Sequence, residues 1–232
     1  MLTVRKSQER GYADRGWLNS YHTFSFANYF DPNFMGFGNL RVINEDIIQA
    51  KMGFPTHSHQ DMEIITYVIE GALEHQDSMG NRSVIRPGEV QRMSAGTGVS
   101  HSEYNHSDRE LVHLLQIWIL PETKGLPASY EQKMYAEAEK RGQLRLVGSR
   151  DGRDGSVTIH QDVNLYASLL DRREKIEYNI NRDRQIWLQL ISGDLAVNDR
   201  QISAGDAVAI AEESNLILAA QSNAEFLLFD LG

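Results

Sequence analysis

Two short histidine motifs contain the residues whose types and spacing point to metal chemistry. His57 and His59 stand one residue apart in THSH, and His101 and Glu103 have the same spacing in HSE. In an extended strand, residues i and i+2 lie on one face about 6.6 Å apart, so both side chains can reach one ion. If the two strands lie side by side, the motifs predict a site of three imidazoles and one carboxylate.

Such a nitrogen-rich set favours one divalent transition metal, which could be Fe, Zn, Co, Ni or Mn. Calcium and magnesium prefer oxygen ligands and are disfavoured. Four protein ligands in an octahedral field leave two positions open, and open positions are typical of reactive rather than structural metals. Either motif alone is also compatible with a polar surface loop. The occurrence of both, each bordered by glycine turns, favours the metal site.

The remaining histidines and the tryptophans of the apolar runs are interpreted without a role at the metal. We expect Trp118 and Trp187 to pack in the core, since both lie in apolar strand-like segments. Three histidines are interpreted as surface or hydrogen-bonded core residues: His75, His106 and His113. Two more lie outside the cluster: His22 and His160.

Composition narrows the classes of function. The chain of 232 residues has no cysteine, which excludes disulfides, thiolate ligands and cysteine nucleophiles. Its formal net charge of −9 disfavours nucleic acid and anionic membrane surfaces as partners. The first residues have no apolar core of signal-peptide length, and no segment approaches the roughly 20 apolar residues that cross a bilayer. We therefore expect a cytoplasmic protein.

Short strands account for most of the chain. Ile47–Met52, Ile64–Ile69 and Leu114–Leu120 are rich in β-branched and aromatic residues, and Gly and Asn turns separate such segments. Many short strands with little helix favour an all-β barrel or sandwich. One helix is predicted over Ser129–Lys140, because SYEQKMYAEAEK is rich in Ala, Glu and Lys and follows Pro127.

The two halves of the chain resemble each other, which predicts two similar β-domains. Gly71 aligns with Gly193, and Gly88 with Gly205. The first alignment sets three site positions against uncharged residues: His57 against Asn179, His59 against Asn181, and Glu63 against Gln185. The second sets two more against apolar ones: His101 against Leu218, and Glu103 against Ala220. We predict a metal-binding domain over 1–125, a helical linker region over 126–156 and a domain without metal ligands over 157–232.

These motifs resemble those of the cupin superfamily. The first cupin motif matches Gly53, His57, His59, Glu63 and Gly71, and the second matches Gly98, His101 and Asn105. Within the cupins, the chain resembles the pirin family, a bicupin group, through GFPTHSHQDMEIITYVIEG, RPGEVQRMSAGTGVSHSE and LLQIWILP. The resemblance implies an all-β bicupin, with two antiparallel β-barrels of jelly-roll type and one or two short helices.

The resemblance also bears on the fourth ligand. In most cupins the glutamate of the first motif binds the metal, which would be Glu63. In pirin-like proteins the glutamate two residues after the last histidine does so, which is Glu103. We favour Glu103, since its spacing from His101 puts both on one strand face. We expect Glu63 to contact the ligand residues rather than the metal itself. The chain departs from the general cupin pattern in a shorter Gly53-to-His57 spacing and in Gly96, which replaces a proline.

The pirin resemblance implies flavonol dioxygenase activity, in which O2 opens quercetin at a mononuclear metal and carbon monoxide is lost. The partners would be a small aromatic, flavonol-like substrate and O2, with Glu103 or Glu63 as the base for the 3-hydroxyl proton. The segment Asn28–Leu40 is a candidate rim for the substrate cavity through four side chains: Phe30, Phe34, Met35 and Phe37. These side chains could equally seal the end of the barrel or the interdomain seam.

A different class of function is also compatible with the motifs. Pirin-like proteins resemble metal-dependent regulatory binders, so the metal could act as a redox sensor that controls binding to a protein partner. A third possibility is that the metal only braces the first barrel. Metal-dependent consumption of flavonol and O2 would distinguish the enzyme from both.

Overall fold

The computed structural model describes all residues 1–232, and strands form nearly all of its regular structure. The strands of the first half are β1 (Leu2–Arg5), β2 (Gly11–Asp14), β3 (Leu18–His22), β4 (Leu40–Ile48), β5 (Gly53–His59), β6 (Glu63–Glu70), β7 (Leu73–Asp77), β8 (Arg82–Ile85), β9 (Glu89–Ser94), β10 (Val99–Asn105) and β11 (Val112–Ile119). Those of the second half are β12 (Ser129–Met134), β13 (Arg145–Ser149), β14 (Val157–Thr158), β15 (Val163–Leu170), β16 (Lys175–Asn179), β17 (Gln185–Ser192), β18 (Asp194–Val197), β19 (Arg200–Ser203), β20 (Ala207–Ile210), β21 (Asn215–Ala220) and β22 (Ala224–Leu231). The prediction of an all-β protein is confirmed.

Helical structure is limited to three short segments. They are the helix α1 (Glu137–Lys140) and two 3-10 turns, at Ser7–Glu9 and Arg153–Gly155. None of these segments has the length and apolar character needed to cross a lipid bilayer.

The chain forms two compact units, each discontinuous in sequence. The N-terminal unit contains Gly11–Met134 and Val157–Gln161, and the C-terminal unit contains Met1–Arg10, Tyr135–Ser156 and Asp162–Gly232. The predicted division into domains at 1–125 and 157–232 with a linker region at 126–156 stays a prediction.

Each unit is built from two antiparallel sheets with the same strand order. In the N-terminal unit the orders are β12–β9–β6–β11–β4–β3–β2 and β5–β10–β7–β8. In the C-terminal unit they are β1–β20–β17–β22–β15–β13 and β16–β21–β18–β19. The strands β4 to β11 thus have counterparts in β15 to β22, taken in order, which confirms the repeat inferred from the glycine turns.

The bicupin fold is confirmed, and its antiparallel sheets do not close into barrels. In the N-terminal unit, β5 and β8 form the edges of one sheet, and β2 and β12 form the edges of the other. Twisted antiparallel sheets can bury their apolar faces by packing on one another, so burial alone does not require the edges to join by hydrogen bonds.

The aligned glycines Gly71 and Gly193 show why the repeat is visible in the sequence. Both have positive φ values, of 79° and 80°, and a Cβ at either position would collide with a backbone carbonyl, that of Leu111 or Asn223. Only glycine meets both requirements without strain, so the same turn requires the same residue in both units.

The helix predicted over Ser129–Lys140 is wrong for most of its length. Ser129–Met134 is the edge strand β12, in register with β9 from Ser129 opposite Ser94 to Met134 opposite Glu89, and only Glu137–Lys140 is helical. Local helix propensity is a weak preference of some tenths of a kcal/mol per residue, and the hydrogen bonds offered by β9 override it here.

The inner face of the N-terminal unit contains polar residues between two apolar clusters. Thr66 lies between Ile64 and Val68 on β6, and Gln116 lies between Leu114 and Trp118 on β11. Cross-strand pairing extends this row to four neighbouring strands: His22, Asn44, Gln116 and Thr66 are consecutive partners. Buried polar side chains in such a row need hydrogen-bond partners or a ligand, so this face is a candidate binding surface.

Candidate metal centre

Strands β5 and β10 bring the two histidine motifs together. They pair antiparallel with His57 directly opposite His101, as the sequence predicts for strands that lie side by side. Along β10, Val99, His101, Glu103 and Asn105 are buried and alternate with more exposed residues, so His101 and Glu103 share the inner face. The register shifts between His101 and Glu103, opposite Pro55, where the missing N–H suits an irregular pairing.

The three imidazoles converge on one point. The Nε2 atoms of His57 and His101 lie 3.0 Å apart, and one ligand nitrogen from each of His57, His59 and His101 lies within 4.8 Å of the others. Two nitrogens bound at about 2.1 Å to one ion, at a right angle to each other, are about 3.0 Å apart. The spacing of His57 and His101 thus matches two adjacent ligands of a single ion.

The protonation states of the imidazoles also suit a metal. His57 Nδ1 lies 2.8 Å from the carbonyl oxygen of Pro55, to which only a protonated Nδ1 can donate, so Nε2 keeps its lone pair in the neutral ring. Burial, with the neighbouring imidazoles, lowers the pKa of His59 to about 4 and that of His101 to about 3. Near neutral pH the rings of His59 and His101 are therefore uncharged and able to bind a cation.

Glu103 lies near the imidazoles but not in the same tight group as all three. Its carboxylate forms a second group, within 4.8 Å, with His75 and His101. Gln116 Nε2 donates to both of its oxygens, at 3.1 and 3.0 Å, from the facing sheet. Glu103 is 3% exposed, so Gln116 is important as a hydrogen-bond donor that satisfies its buried carboxylate and fixes its orientation.

Glu63, the other carboxylate considered from the sequence, is directed elsewhere. Its Oε2 accepts hydrogen bonds from Ser94 Oγ at 3.0 Å and from the backbone N–H of His160 at 3.1 Å. The ring nitrogen Nδ1 of His160 lies 3.2 Å from the same oxygen. Glu63 is therefore occupied in binding the segment that carries His160, and it does not line the cavity described below.

His75 was assigned no role from the sequence, yet it lies beside the cluster. It is fully buried, its ring is 5.4 Å from that of His101, and Nε2 lies 3.1 Å from Asp77 Oδ2. Its register position on β7, opposite Glu103 on β10, places it on the inner face. Only the pairing of β7 with β10 reveals this, since no spacing relates His75 to the other motifs.

A cavity of about 820 Å³ opens beside the imidazoles, within the range that holds drug-sized molecules. His57, His59 and Glu103 line it, together with aromatic side chains that include Phe26, Tyr29, Phe54 and Trp118. Trp118 packs edge-on against His59, with ring centroids 5.0 Å apart. The inferred core role of Trp118 is thus incomplete, because one side of the ring faces the cavity.

The four side chains predicted to form the cavity rim are the wrong ones, although the loop that carries them does contribute to the cavity. Phe30, Phe34, Met35 and Phe37 do not line the cavity, and Phe30 is 70% exposed. Phe26, Ala27, Asn28 and Tyr29 from the start of the same loop line it instead. Without regular structure between β3 and β4, the sequence has no periodicity that would show which face of this loop points inward.

Comparisons with known proteins agree with this geometry. The family model described as Pirin matches residues 3–119, and the one described as quercetinase C-terminal cupin domain matches residues 146–231. A quercetin 2,3-dioxygenase of Escherichia coli strain K12 is 51% identical over 231 residues, covering 100% of this chain and 99% of that protein. The chain belongs to the pirin family.

Other pirin-family proteins extend the comparison. A pirin-like protein of Caulobacter vibrioides is 38% identical, with 99% of each chain covered. The crystal structure of the bacterial pirin YhhW of Escherichia coli in complex with nickel(II) superposes with a TM-score of 0.95 at 51% identity, covering 100% of this chain and 99% of that one. The names of such relatives and the cupin fold support a dioxygenase-like function.

The C-terminal unit of this pirin-family chain differs from the N-terminal unit at the positions equivalent to the candidate ligands. Leu218, aligned with His101, pairs with Ile176 across β16 and β21, and both contribute to the apolar core. Asn179, which the sequence alignment of the two halves set against His57, is exposed on the other face of β16. The loop that follows β16 is longer than the one that follows β5, so counting back from Gly193 misses the true register.

Proposed function

We propose that this chain is a metal-dependent dioxygenase that opens flavonols such as quercetin with O2 and releases carbon monoxide. The observation that supports it most directly is the group of three converging imidazoles beside an aromatic-lined cavity. The names of relatives that match the whole chain agree with this reaction.

We propose that His57, His59, His101 and Glu103 hold one divalent transition metal. Two adjacent nitrogens at 3.0 Å, neutral imidazoles and a buried carboxylate suit Fe, Zn, Co, Ni or Mn. Nickel has particular support, because it is the metal of the complex solved for the relative from Escherichia coli. A bound ion of this kind would stabilise the negative charge on the oxygen of an ionised flavonol.

The protein's own groups would position the substrate and remove its proton. Glu103 lines the cavity and Glu63 does not, so we assign Glu103 as the acceptor of the 3-hydroxyl proton. Gln116 holds both of its oxygens by hydrogen bonds and so limits the orientations that the carboxylate can adopt. The aromatic rings of Phe26, Phe54 and Trp118 would orient a flat substrate and exclude water.

The test is a metal-dependent assay of all three small molecules. Purified protein loaded with Ni(II), and separately with Fe(II), Co(II), Mn(II) or Zn(II), is given quercetin in air-saturated buffer. We expect at least one metal to support quercetin loss, O2 uptake and carbon monoxide release in equal amounts, and the metal-free protein to show none. The substitution His57→Ala should abolish the reaction, while His106→Ala, at an exposed histidine outside the cavity, should not.

Two results would separate the alternatives. Metal binding without flavonol-dependent O2 uptake, with every metal tried, would contradict the enzymatic assignment and favour a regulatory protein whose metal senses redox state. Failure to bind any of the metals would contradict the metal site itself.

A further inference from the structure

Asp46 is a buried acid that the proposed chemistry does not use. It lies on β4, and its side chain lines the cavity. The residue is 3% exposed. Its neighbour Glu45 points to the opposite face, where it pairs with His113 Nε2 at 2.9 Å, so the two acids have different surroundings.

The carboxyl of Asp46 has fewer partners than a buried acid needs. Ser20, its cross-strand neighbour on β3, supplies a hydrogen bond. Oδ1 is buried and has no hydrogen-bond partner within the protein. A buried carboxyl without full compensation costs several kcal/mol, so the position is poorly explained by stability.

The charged groups around Asp46 also fail to stabilise its ionised form. Glu103 and Glu45 both act against its ionisation, and the one cationic contribution comes from His113, which is already paired with Glu45. Burial is the largest cause of a raised pKa, to about 7. Near neutral pH the group is thus able either to donate or to accept a hydrogen bond.

The cavity defines what kind of molecule would meet this carboxyl. Asp46 and Gln116 belong to the larger sheet, whereas the imidazoles and Glu103 belong to the smaller sheet. The bond from Gln116 to Glu103 shows that the two inner faces oppose each other. A flat molecule between the faces could have one polar edge at the imidazoles and another at Asp46. Trp118 Nε1, on the wall of the same cavity, is a second buried polar atom without a partner.

We propose that Asp46 recognises a ring hydroxyl of the aromatic substrate other than the one presented to the metal. The inference rests on the proposed function and narrows its substrate class to flavonols with several hydroxyls. Asp46 is then a specificity-determining residue, since a hydrogen bond to a buried carboxyl is lost when the substrate lacks that hydroxyl.

The experiment compares two flavonols that differ in their ring hydroxyls. Quercetin carries hydroxyls on each ring, and 3-hydroxyflavone keeps only the one next to the carbonyl. Nickel-loaded wild type, Asp46→Leu and Asp46→Asn are assayed with both, and Asp108→Leu, at an exposed loop position, serves as the control. Thermal melting verifies that each variant is folded.

We expect Asp46→Leu to lower kcat/KM for quercetin by about 10-fold or more, and to change that for 3-hydroxyflavone by less than about 2-fold. Asp46→Asn keeps the shape and some hydrogen-bonding capacity, so its loss should be intermediate. Asp108→Leu should behave as wild type. An unchanged ratio of the two substrates in Asp46→Leu would overturn the inference.

Binding to the metal-free protein separates this inference from the proposed reaction. Isothermal titration of quercetin and 3-hydroxyflavone into metal-free wild type and Asp46→Leu should show the same selective loss for quercetin. If the loaded wild type consumes neither flavonol but binds quercetin through Asp46, the dioxygenase assignment fails and the recognition role stands. Equal affinities in the two proteins, or no binding of either flavonol to wild type, would overturn the recognition role.

Discussion

The Nε2 atoms of His57 and His101 lie 3.0 Å apart although the two residues are separated by 44 positions in the chain. The antiparallel register of β5 and β10 makes them direct partners. Two ligand nitrogens of one cation would have about this separation. The pairing of β5 with β10 thus brings the imidazoles together across the distance in sequence.

Removal of one imidazole should remove the metal. We expect His101→Ala to weaken binding of Ni(II) by about 100-fold or more, because the remaining pair, His57 and His59, retains only part of the set. Elemental analysis after dialysis against a weak chelator gives the metal per chain. His106→Ala, at an exposed histidine whose ring nitrogen Nδ1 lies 3.1 Å from Glu74 Oε2, is the matched control and should keep the wild-type content. Equal metal contents in the two variants would exclude His101 as a ligand.

Gln116 should matter for the metal through Glu103. The substitution Gln116→Leu leaves both oxygens of the buried carboxylate without their donor, so we expect metal affinity to fall by about 10-fold to 100-fold. Competition with a fluorescent chelator measures this. Gln91→Leu changes another buried glutamine of the same sheet, one with no hydrogen bond to Glu103, and should leave the affinity unchanged. A similar loss in both variants would indicate a general packing effect instead.

The two strands that carry the candidate metal ligands were predictable because strand geometry is periodic. The spacing of His57 with His59, and of His101 with Glu103, is sufficient to place each pair on one face, and the structure agrees with both assignments. The glycine turns predicted the repeat for a similar reason, since positive φ at Gly71 and Gly193 restricts the residue type. Such features depend on local backbone geometry alone.

The parts that sequence reasoning missed depend on contacts distant in the chain. His75 approaches His101 only through the pairing of β7 with β10, and Trp118 reaches the cavity only because β11 lies under the loop that carries Phe26. The incorrect helix had favourable composition, but its preference was weaker than the hydrogen bonds offered by β9. Tertiary pairing of this kind has no signature in a single segment.

Glu63 should contribute to stability rather than to metal binding. In Glu63→Gln the charge that accepts from Ser94 and from the His160 backbone is lost, so we expect the free energy of unfolding to fall by about 1–2 kcal/mol. Urea denaturation of the metal-free protein measures this change. Metal content should equal that of wild type. Loss of metal in Glu63→Gln, with metal retained in Glu103→Gln, would reverse the roles assigned to these two carboxylates.

Asp46 should make the stability of the metal-free protein depend on pH. Burial, with the nearby Glu103 and Glu45, raises its pKa from 3.8 to about 7, so the folded state binds more protons than the unfolded state between these values. Stability must then fall as pH rises through this window, while below pH 3.8 both states are protonated and no penalty exists. The difference between the two pKa values corresponds to a loss of at most about 4 kcal/mol in the free energy of unfolding, and the full loss is present above pH 7.

Asp46→Asn removes this titration while keeping the shape of the side chain. We therefore expect the stability of the variant relative to wild type to be constant near pH 4, to increase between about pH 4 and 7, and to level off above, as measured by urea denaturation across the range. The metal-free protein is used so that no cation beside Glu103 offsets the charge. Asp108→Asn, at an exposed aspartate, should show no such rise. Parallel curves for wild type and Asp46→Asn would mean that Asp46 ionises in the folded protein as readily as in the unfolded chain.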